Sequence, residues 1–495
     1  AVAAAYSGAP LIGGIFVFRQ KNETYRDWLV VTLIVITAVM VLANCTMPTQ
    51  RLWLLTIQGD LGLVLNSDWL SKFFMVLAVC IWAPVVVFTK PYIRHAGQGN
   101  QFMGFCTMTL GVLMGLAQAA NFVTMYMFFE MMSLITVPLV LHNATPAARR
   151  AGFKYLGYSV FGAGMALAGY FFIAYYLTVP DFQPGGAIDF SRAAEHQPLL
   201  LVAYCLMIVG FGAKAGMMPM QSWLPAAHPV APAPASAVLS GVITKGWRGG
   251  CDPGYLLYVW TGVSGGQLAP VCAADADAGH GVRGVHVGLS GKAAEAAAGL
   301  FHGEPGVLCA VRPDAADAGW RPGLSSADGL PCPGQGYALP GGGRHHLLHQ
   351  LHPGGSTAGH RPADAGNHVV LHPGGPSPLI GIPPMAGFVS KWYLLTASLE
   401  APIQAFGVAG LVVLVVSALL TAGYLLPVVT EGFFPGGVFS GGGGRGVQMT
   451  WPMIAFAAAV VLMGLLPGGL LHWLGLSGDR FGCIYKQIQK LYNRY

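Results

Sequence analysis

Charge is scarce in this sequence. Only 9% of its 495 residues are Asp, Glu, Lys or Arg, while 54% are hydrophobic, against a charged share of about 25% in soluble globular domains. So few charges cannot cover the surface of a soluble protein of this length. The net charge of +6 comes from Lys and Arg that are scattered or lie between apolar runs; without a basic face, a nucleic-acid partner is excluded. The nine Cys include no CxxC pair, and no secretory leader with a small-residue cleavage site is expected, so neither a zinc knuckle nor a disulfide framework is supported. Phosphate loops are missing too: Gly441 to Gly446 lacks a following Lys-Ser/Thr and sits between two apolar runs, unlike a Walker motif. No cofactor and no metal are expected.

What the chain does contain, outside positions 247–377, is a series of apolar runs of about 18 to 25 residues, the length of a helix that crosses the roughly 30 Å hydrocarbon core. The runs at 1–18, 28–48, 71–90, 103–120, 122–142, 155–178 and 199–218 each predict a spanning helix, an eighth begins near Ala235, and three more fall at 378–400, 403–430 and 450–474. The fold class is therefore an all-α polytopic membrane protein. Between the second and third spans, Leu52 to Leu65 alternates polar and apolar residues around Gly59-Asp60, which predicts a small β-hairpin outside the bilayer. Arg149, Arg150 and Lys154 cluster in what reads as one short loop, cytoplasmic under the positive-inside rule.

Positions 247–377 break the pattern. They hold 28 Gly and 10 of the chain's 15 His in 131 residues, with no Ile and no Met. The segment interrupts a helix that starts normally at Ala235 to Lys245, and a loop this long is unusual in a compact bundle. Enrichment in Gly, Ala, Pro, Arg and His is what a GC-rich gene yields when translated out of frame. If each codon is re-read one nucleotide later, Leu330 to His346 can give FHALAKATLFLAAGAII, and Gly291 to Cys309 can give ARLLKRRLAYSTVSQVSY. Two apolar helical strings from one shift direction are hard to obtain by chance. We infer two compensating insertion/deletion changes, one just after Lys245 and one near Pro376. The alternative is a genuine His/Cys-rich insert that binds metal. Its cysteines, Cys251, Cys272, Cys309 and Cys332, are 21, 37 and 23 residues apart, without the short spacings that metal sites favour.

Four ionisable residues interrupt apolar spans: Glu130, Lys214, Lys245 and Lys391. Each charge at a helix centre costs roughly 2.5 to 3.5 kcal/mol on insertion scales, so the default reading is an ion pathway. The competing reading of Glu130 and Lys214 is a buried pair that only holds helices together. For Lys391 it is snorkelling toward a membrane face. A buried lysine suits a proton relay because desolvation weakens its hold on the proton and a nearby carboxylate strengthens it again. Pro225, Pro229, Pro232 and Pro234, and the pair Pro383-Pro384, would break helices in the membrane, which is tolerated where freed carbonyls line a cavity or bind water. His228 stands beside the first break as a link in a water chain or, alternatively, as a cap on loose carbonyls.

These stretches carry a resemblance. Lys214 followed by PMQSWLPAAHPVAPAPASAVLSGVITK, FFEMMSL around Glu130, ARRAGFKYLGYS, and GIPPMAGFVSKW before Lys391 are similar to the antiporter-like membrane subunits shared by respiratory complex I, Mrp-type cation/proton antiporters and membrane-bound hydrogenases, including formate hydrogenlyase. The shifted strings resemble that family's central helices as well. The resemblance implies about fourteen transmembrane helices in two inverted five-helix repeats, each with a broken helix. It implies the order 1–100 N-terminal helices and hairpin, 101–246 first repeat and start of the central helix, 247–377 the frame-shifted central and second-repeat helices, and 378–495 the end of the second repeat and the C-terminal helices. Glu130 would be the switching carboxylate of the first repeat, Lys214 its partner on the broken helix, Lys245 the central relay and Lys391 the exit side of the second repeat. In one place the written chain departs from the family. The central His and Lys of the shifted string straddle Pro331/Cys332 and Gln335/Gly336, so the path is cut as written.

The implied function is proton translocation, with Na+ as an alternative coupling ion, by a subunit of a redox-driven complex in a bacterial plasma membrane. Other membrane subunits and the lipid bilayer would be its partners, and no redox site would lie in this chain. HPVAPAPASAVLSG looks nearer to hydrogenase and Mrp D-type subunits than to the largest complex I subunit, and no long lateral helix is expected after residue 475. An Mrp-type antiporter subunit and a non-conducting scaffold are the competing readings. The frame inference predicts that peptides from the native membrane protein carry the shifted reading across 247–377. An uninterrupted frame in the gene, with a tryptic peptide ending at Arg344 found by mass spectrometry, would overturn it.

Overall fold

The computed structural model describes residues 2–241 apart from 59–60, 97, 183–188, 190–191, 193–195, 217–219 and 229. It further describes 243, 381–383, 385–388, 391–392, 408, 411–412, 414–415, 418–419 and 447–466. Lys245, the segment 247–377, Pro384, Gly441 to Gly446 and most of the spans expected at 378–400 and 403–430 lie outside the described residues.

Helices α1 (Val2–Phe18) and α2 (Glu23–Thr46) are followed by strands β1 (Arg51–Gln58) and β2 (Leu61–Asn66). Next come α3 (Trp69–Ala96), α4 (Gly99–Ala117), α5 (Phe122–Val140), α6 (Pro146–Ala174) and α7 (Gln197–Ala215). After α7 the chain forms a 3-10 turn at Gln221–Trp223, the single-turn α8 (Leu224–Ala227) and α9 (Ala233–Gly241); α10 (Val447–Leu465) stands near the C-terminal end. Among the described residues, six helices, α2 to α7, are long and apolar enough to cross a membrane.

Capping residues set the helix starts. Asn22, Asn121 and Thr145 accept the backbone N–H of Thr24 (2.8 Å), Thr124 (2.9 Å) and Ala148 (3.1 Å) to open α2, α5 and α6, each satisfying an amide that the first turn leaves orphaned. The third cap corrects an expectation. With Thr145 as cap and Pro146 at the first turn, α6 begins nine residues before the apolar run at 155. Arg149, Arg150 and Lys154 therefore sit on exposed positions of its first turns and not in a loop. Hydropathy marks the apolar part of a helix, whereas the cap decides where the helix begins.

The α6–α7 pair packs through small residues: a Cβ on Gly162 would lie 2.5 Å from the Gly210 carbonyl oxygen, and one on Gly210 would lie 2.5 Å from the Ala166 nitrogen. Backbones that close gain dispersion contacts that longer side chains would block, which is how helices associate in lipid. The hairpin forms as expected, antiparallel, with Leu52 opposite Leu65 and Trp53 opposite Val64. It is tied to α5 by Val64 N–H to Thr124 Oγ1 (2.9 Å) and Asn121 Nδ2 to the Gly62 carbonyl (2.8 Å).

A buried charge cluster joins one end of the bundle. On α2, Arg26 donates to Asp27 Oδ1 from Nε (3.0 Å) and Nη2 (2.9 Å). Its Nη1 reaches Asn100 Oδ1 on α4 (3.1 Å), and Arg94 from α3 donates to Asp27 Oδ2 (3.2 Å). Arg26 and Asp27 are only 2% and 4% exposed. Both precede the apolar run that starts at residue 28, and the cap at Asn22 starts α2 early enough to include them. Asp27→Asn would leave the buried Arg26 uncompensated and should destabilise the protein by about 3 kcal/mol. A lowered melting temperature of the purified protein, larger than that of the exposed Glu23→Gln, is the expected measurement.

Candidate functional site

Helix α7 ends inside the bundle. Lys214, in its last turn, reaches Phe129 and Ser133 near the middle of α5. Sixteen residues after Lys214, Val230 accepts a hydrogen bond from Asn143, just past the end of α5. At about 1.5 Å per residue, the seven residues from Ser133 to Val140 at the end of α5 put the end of α7 roughly 10 Å short of that end of the bundle. A cation is favoured at this terminus, because the helix dipole leaves it partly negative.

The break itself is locally encoded. Gly216 caps α7 with φ +78°, a left-handed conformation that costs other residues about 1 to 2 kcal/mol. Its N–H and the indole Nε1–H of Trp223 both bond the Ala213 carbonyl, at 3.4 and 2.8 Å, so a carbonyl that the helix end frees is satisfied without water. Helix α6 braces the turn: the Tyr155 ring lies 4.9 Å from that of Trp223, and Ser222 Oγ donates to Tyr158 OH at 2.7 Å. Tyr155 OH is in turn 2.7 Å from Thr136 Oγ1 on α5.

Lys214 is 1% exposed. Its Nζ donates to Ser133 Oγ (2.5 Å) and to the Phe129 carbonyl (3.1 Å), and lies 4.3 Å from the centroid of the Phe129 ring. Glu130 is half-buried on the same stretch of α5 and interacts electrostatically with Lys214. Among the described residues no ion pair joins the two and nothing hydrogen-bonds the Glu130 carboxylate. The expected pair of opposite charges is thus brought onto neighbouring helices without direct contact.

His228 lies in the break, 3% exposed, its N–H bonded to the Leu224 carbonyl (3.1 Å) and its own carbonyl accepting from Ser236 Oγ (3.2 Å). Lys391 is 8% exposed, its stem against Gly381. Lys245 falls outside the described residues. Among the described residues no group of three or more His, Cys, Asp or Glu could hold a metal ion. Sequence reasoning missed Ser133, Phe129 and Trp223. Only Ser133 carried a signal, a polar residue three positions after Glu130 in an apolar helix.

The comparisons bear on this site directly. Residues 119–246, which include α5, α6, α7 and the break, match the family "NADH:quinone oxidoreductase/Mrp antiporter, TM". The chain resembles the antiporter-like membrane subunits of that family. It is 37% identical to hydrogenase-4 component B of Escherichia coli over 189 residues, 37% of this chain and 27% of that protein. It is 25% identical to NADH-quinone oxidoreductase subunit N of Desulforudis audaxviator over 406 residues, 76% of this chain and 74% of that one. The chain spans less than a third of the length of the first curated relatives it matches. A chain of respiratory complex I from Thermus thermophilus superposes with a TM-score of 0.67 at 16% identity, over 99% of both chains, which shows a shared fold. The helical membrane architecture and the family resemblance read from the sequence stand.

Gly216→Ala should lower stability by about 1 to 2 kcal/mol through its left-handed backbone, and the added Cβ would also press on Leu224. Gly164→Ala, in the interior of α6 where a Cβ meets nothing within 4 Å, should be neutral or stabilising by up to about 1 kcal/mol. Thermal melting of the two purified variants compares them.

Proposed function

We propose that this chain is a proton-translocating membrane subunit of a redox-driven complex of the NADH-quinone oxidoreductase or membrane-bound hydrogenase type. The observation that carries the reading is the charge-bearing end of α7, stopped inside the bundle next to a carboxylate on α5. Neither feature helps a passive membrane anchor. Both suit a site where a proton changes hands between a lysine amine and its surroundings while the charge on Glu130 biases the equilibrium. Glu130 acts as the switching carboxylate and Lys214 as its partner; His228 links the break to water. Lys245 serves as the central relay and Lys391 as the exit-side lysine of a second repeat. With 1–100, 101–246, 247–377 and 378–495 as its parts, the whole chain would comprise about fourteen helices in two inverted five-helix repeats.

Orientation follows from charge. Arg26 with Asn100 and Asp27 with Arg94, and Phe102 with His142 (5.1 Å between ring centroids), bring the starts of α2 and α4 and the ends of α3 and α5 to one end of the bundle. That end bears Arg19, Lys21, Lys90, Arg94, Arg149, Arg150 and Lys154. The hairpin end mixes Arg51, Lys72 and Arg192 with Asp68, Asp181 and Asp189. The positive-inside rule makes the first end cytoplasmic in a bacterial plasma membrane. The subunit works beside other membrane subunits of a complex whose redox chemistry takes place outside this chain. An Mrp-type antiporter subunit is the second reading, supported by a family description that covers both.

Inverted vesicles containing the assembled complex separate the alternatives. Redox substrate should acidify them, and Glu130→Gln or Lys214→Ala should abolish acidification while part of the redox activity persists. Acidification unchanged in both variants would overturn the relay. Proton movement driven only by an imposed Na+ gradient would favour the antiporter.

A further inference from the structure

The Lys214 ammonium has three donors to satisfy, and the structure shows where it goes when it is not on the carboxylate. Two donors are taken by α5, at Ser133 Oγ (2.5 Å) and the Phe129 carbonyl (3.1 Å), with the face of the Phe129 ring 4.3 Å away, well inside cation–π range. Phe129 and Ser133 are four residues apart and therefore share one face of α5; around the helix Glu130 lies about 100° from Phe129 and about 60° from Ser133. A long, unbranched lysine can pass between these two directions by turning its own side chain, without moving either helix.

We propose that Ser133 is a positioning residue that gives Lys214 a second seat, distinct from Glu130, between which and the carboxylate the lysine alternates as protons pass. The inference rests on the proposed proton-translocating role of the pair. The hydroxyl suits both forms of the lysine because it accepts and donates. It accepts from the ammonium while donating its own proton to the Phe129 carbonyl, as it does here at 3.1 Å. When the amine is neutral, the same hydroxyl proton can turn to the nitrogen lone pair. The Phe129 carbonyl, which only accepts, can meet the amine solely through one of its N–H groups. The seat is held in register from behind, since Thr136 Oγ1 bonds the Ser133 carbonyl (3.2 Å) and meets Tyr155 OH of α6 (2.7 Å).

The test uses the assembled complex in inverted vesicles with three variants. Ser133→Ala should slow redox-driven acidification about tenfold, the order expected for losing a hydrogen bond to a charged group, at unchanged assembly and redox activity. Ser133→Thr, which keeps the hydroxyl, should restore it to within about twofold of the wild type. Acidification by Ser133→Ala equal to wild type, or by Ser133→Thr as poor as by Ser133→Ala, would overturn the seat. Lys214→Ala in the same vesicles separates the two ideas: if it pumps normally the relay itself fails, and if it does not pump while Ser133→Ala does, only the second seat fails.

Discussion

An ammonium group in the middle of a hydrophobic bundle must find its partners within the chain, and the groups around Lys214 can be understood from that need. Hydrocarbon offers no water to hydrogen-bond an ion or a freed carbonyl, so each has to be met by protein. Lys214 is met by a carbonyl, a hydroxyl and an aromatic face of α5. The carbonyl that α7 releases at Ala213 is met by the Gly216 amide and the Trp223 indole. The seat and the cap are neighbours because both arise from one helix end.

That arrangement places demands on α6, which lies between the halves of the problem. Its outer turns need tyrosines long enough to brace the break, Tyr155 against Trp223 and Tyr158 against Ser222. Its middle needs small residues, so that α7 can come close enough for Lys214 to reach α5. Gly162 and Ala166, facing Gly210 of α7, meet the second demand. The cost is a tightly specified pairing, in which one added methylene on the α6–α7 seam pushes backbones apart. The buried Arg26–Asp27–Arg94 cluster plays a related part at the end of the bundle, where it locks the ends of α2, α3 and α4.

Much of the fold was legible in the residues taken one run at a time. Spans appear as apolar runs because their length is dictated by the bilayer. The hairpin appears in the alternation from Leu52 to Leu65, and the break appears in the prolines after Lys214. Boundaries were less legible where polar turns extend an apolar helix: α2 and α6 each begin several residues early because Asn22 and Thr145 cap them. This is why Arg149, Arg150 and Lys154 read as a loop in the sequence but stand on a helix in the structure.

The sequence by itself determined that the chain is a helical membrane protein with charges it must have a use for, because composition and run length are one-dimensional quantities that solvation alone can judge. Only the tertiary structure decided who meets whom. That Lys214 rests on Ser133 and Phe129 while Glu130 stands apart depends on the azimuth of α7 against α5 and on how far the glycine seam lets them approach. Neither quantity is written in the spacing of residues along one helix. Trp223 is the plainest case: an aromatic in a proline-rich loop has no periodic pattern to mark it, and its role exists only because the chain folds back onto the helix it has just left.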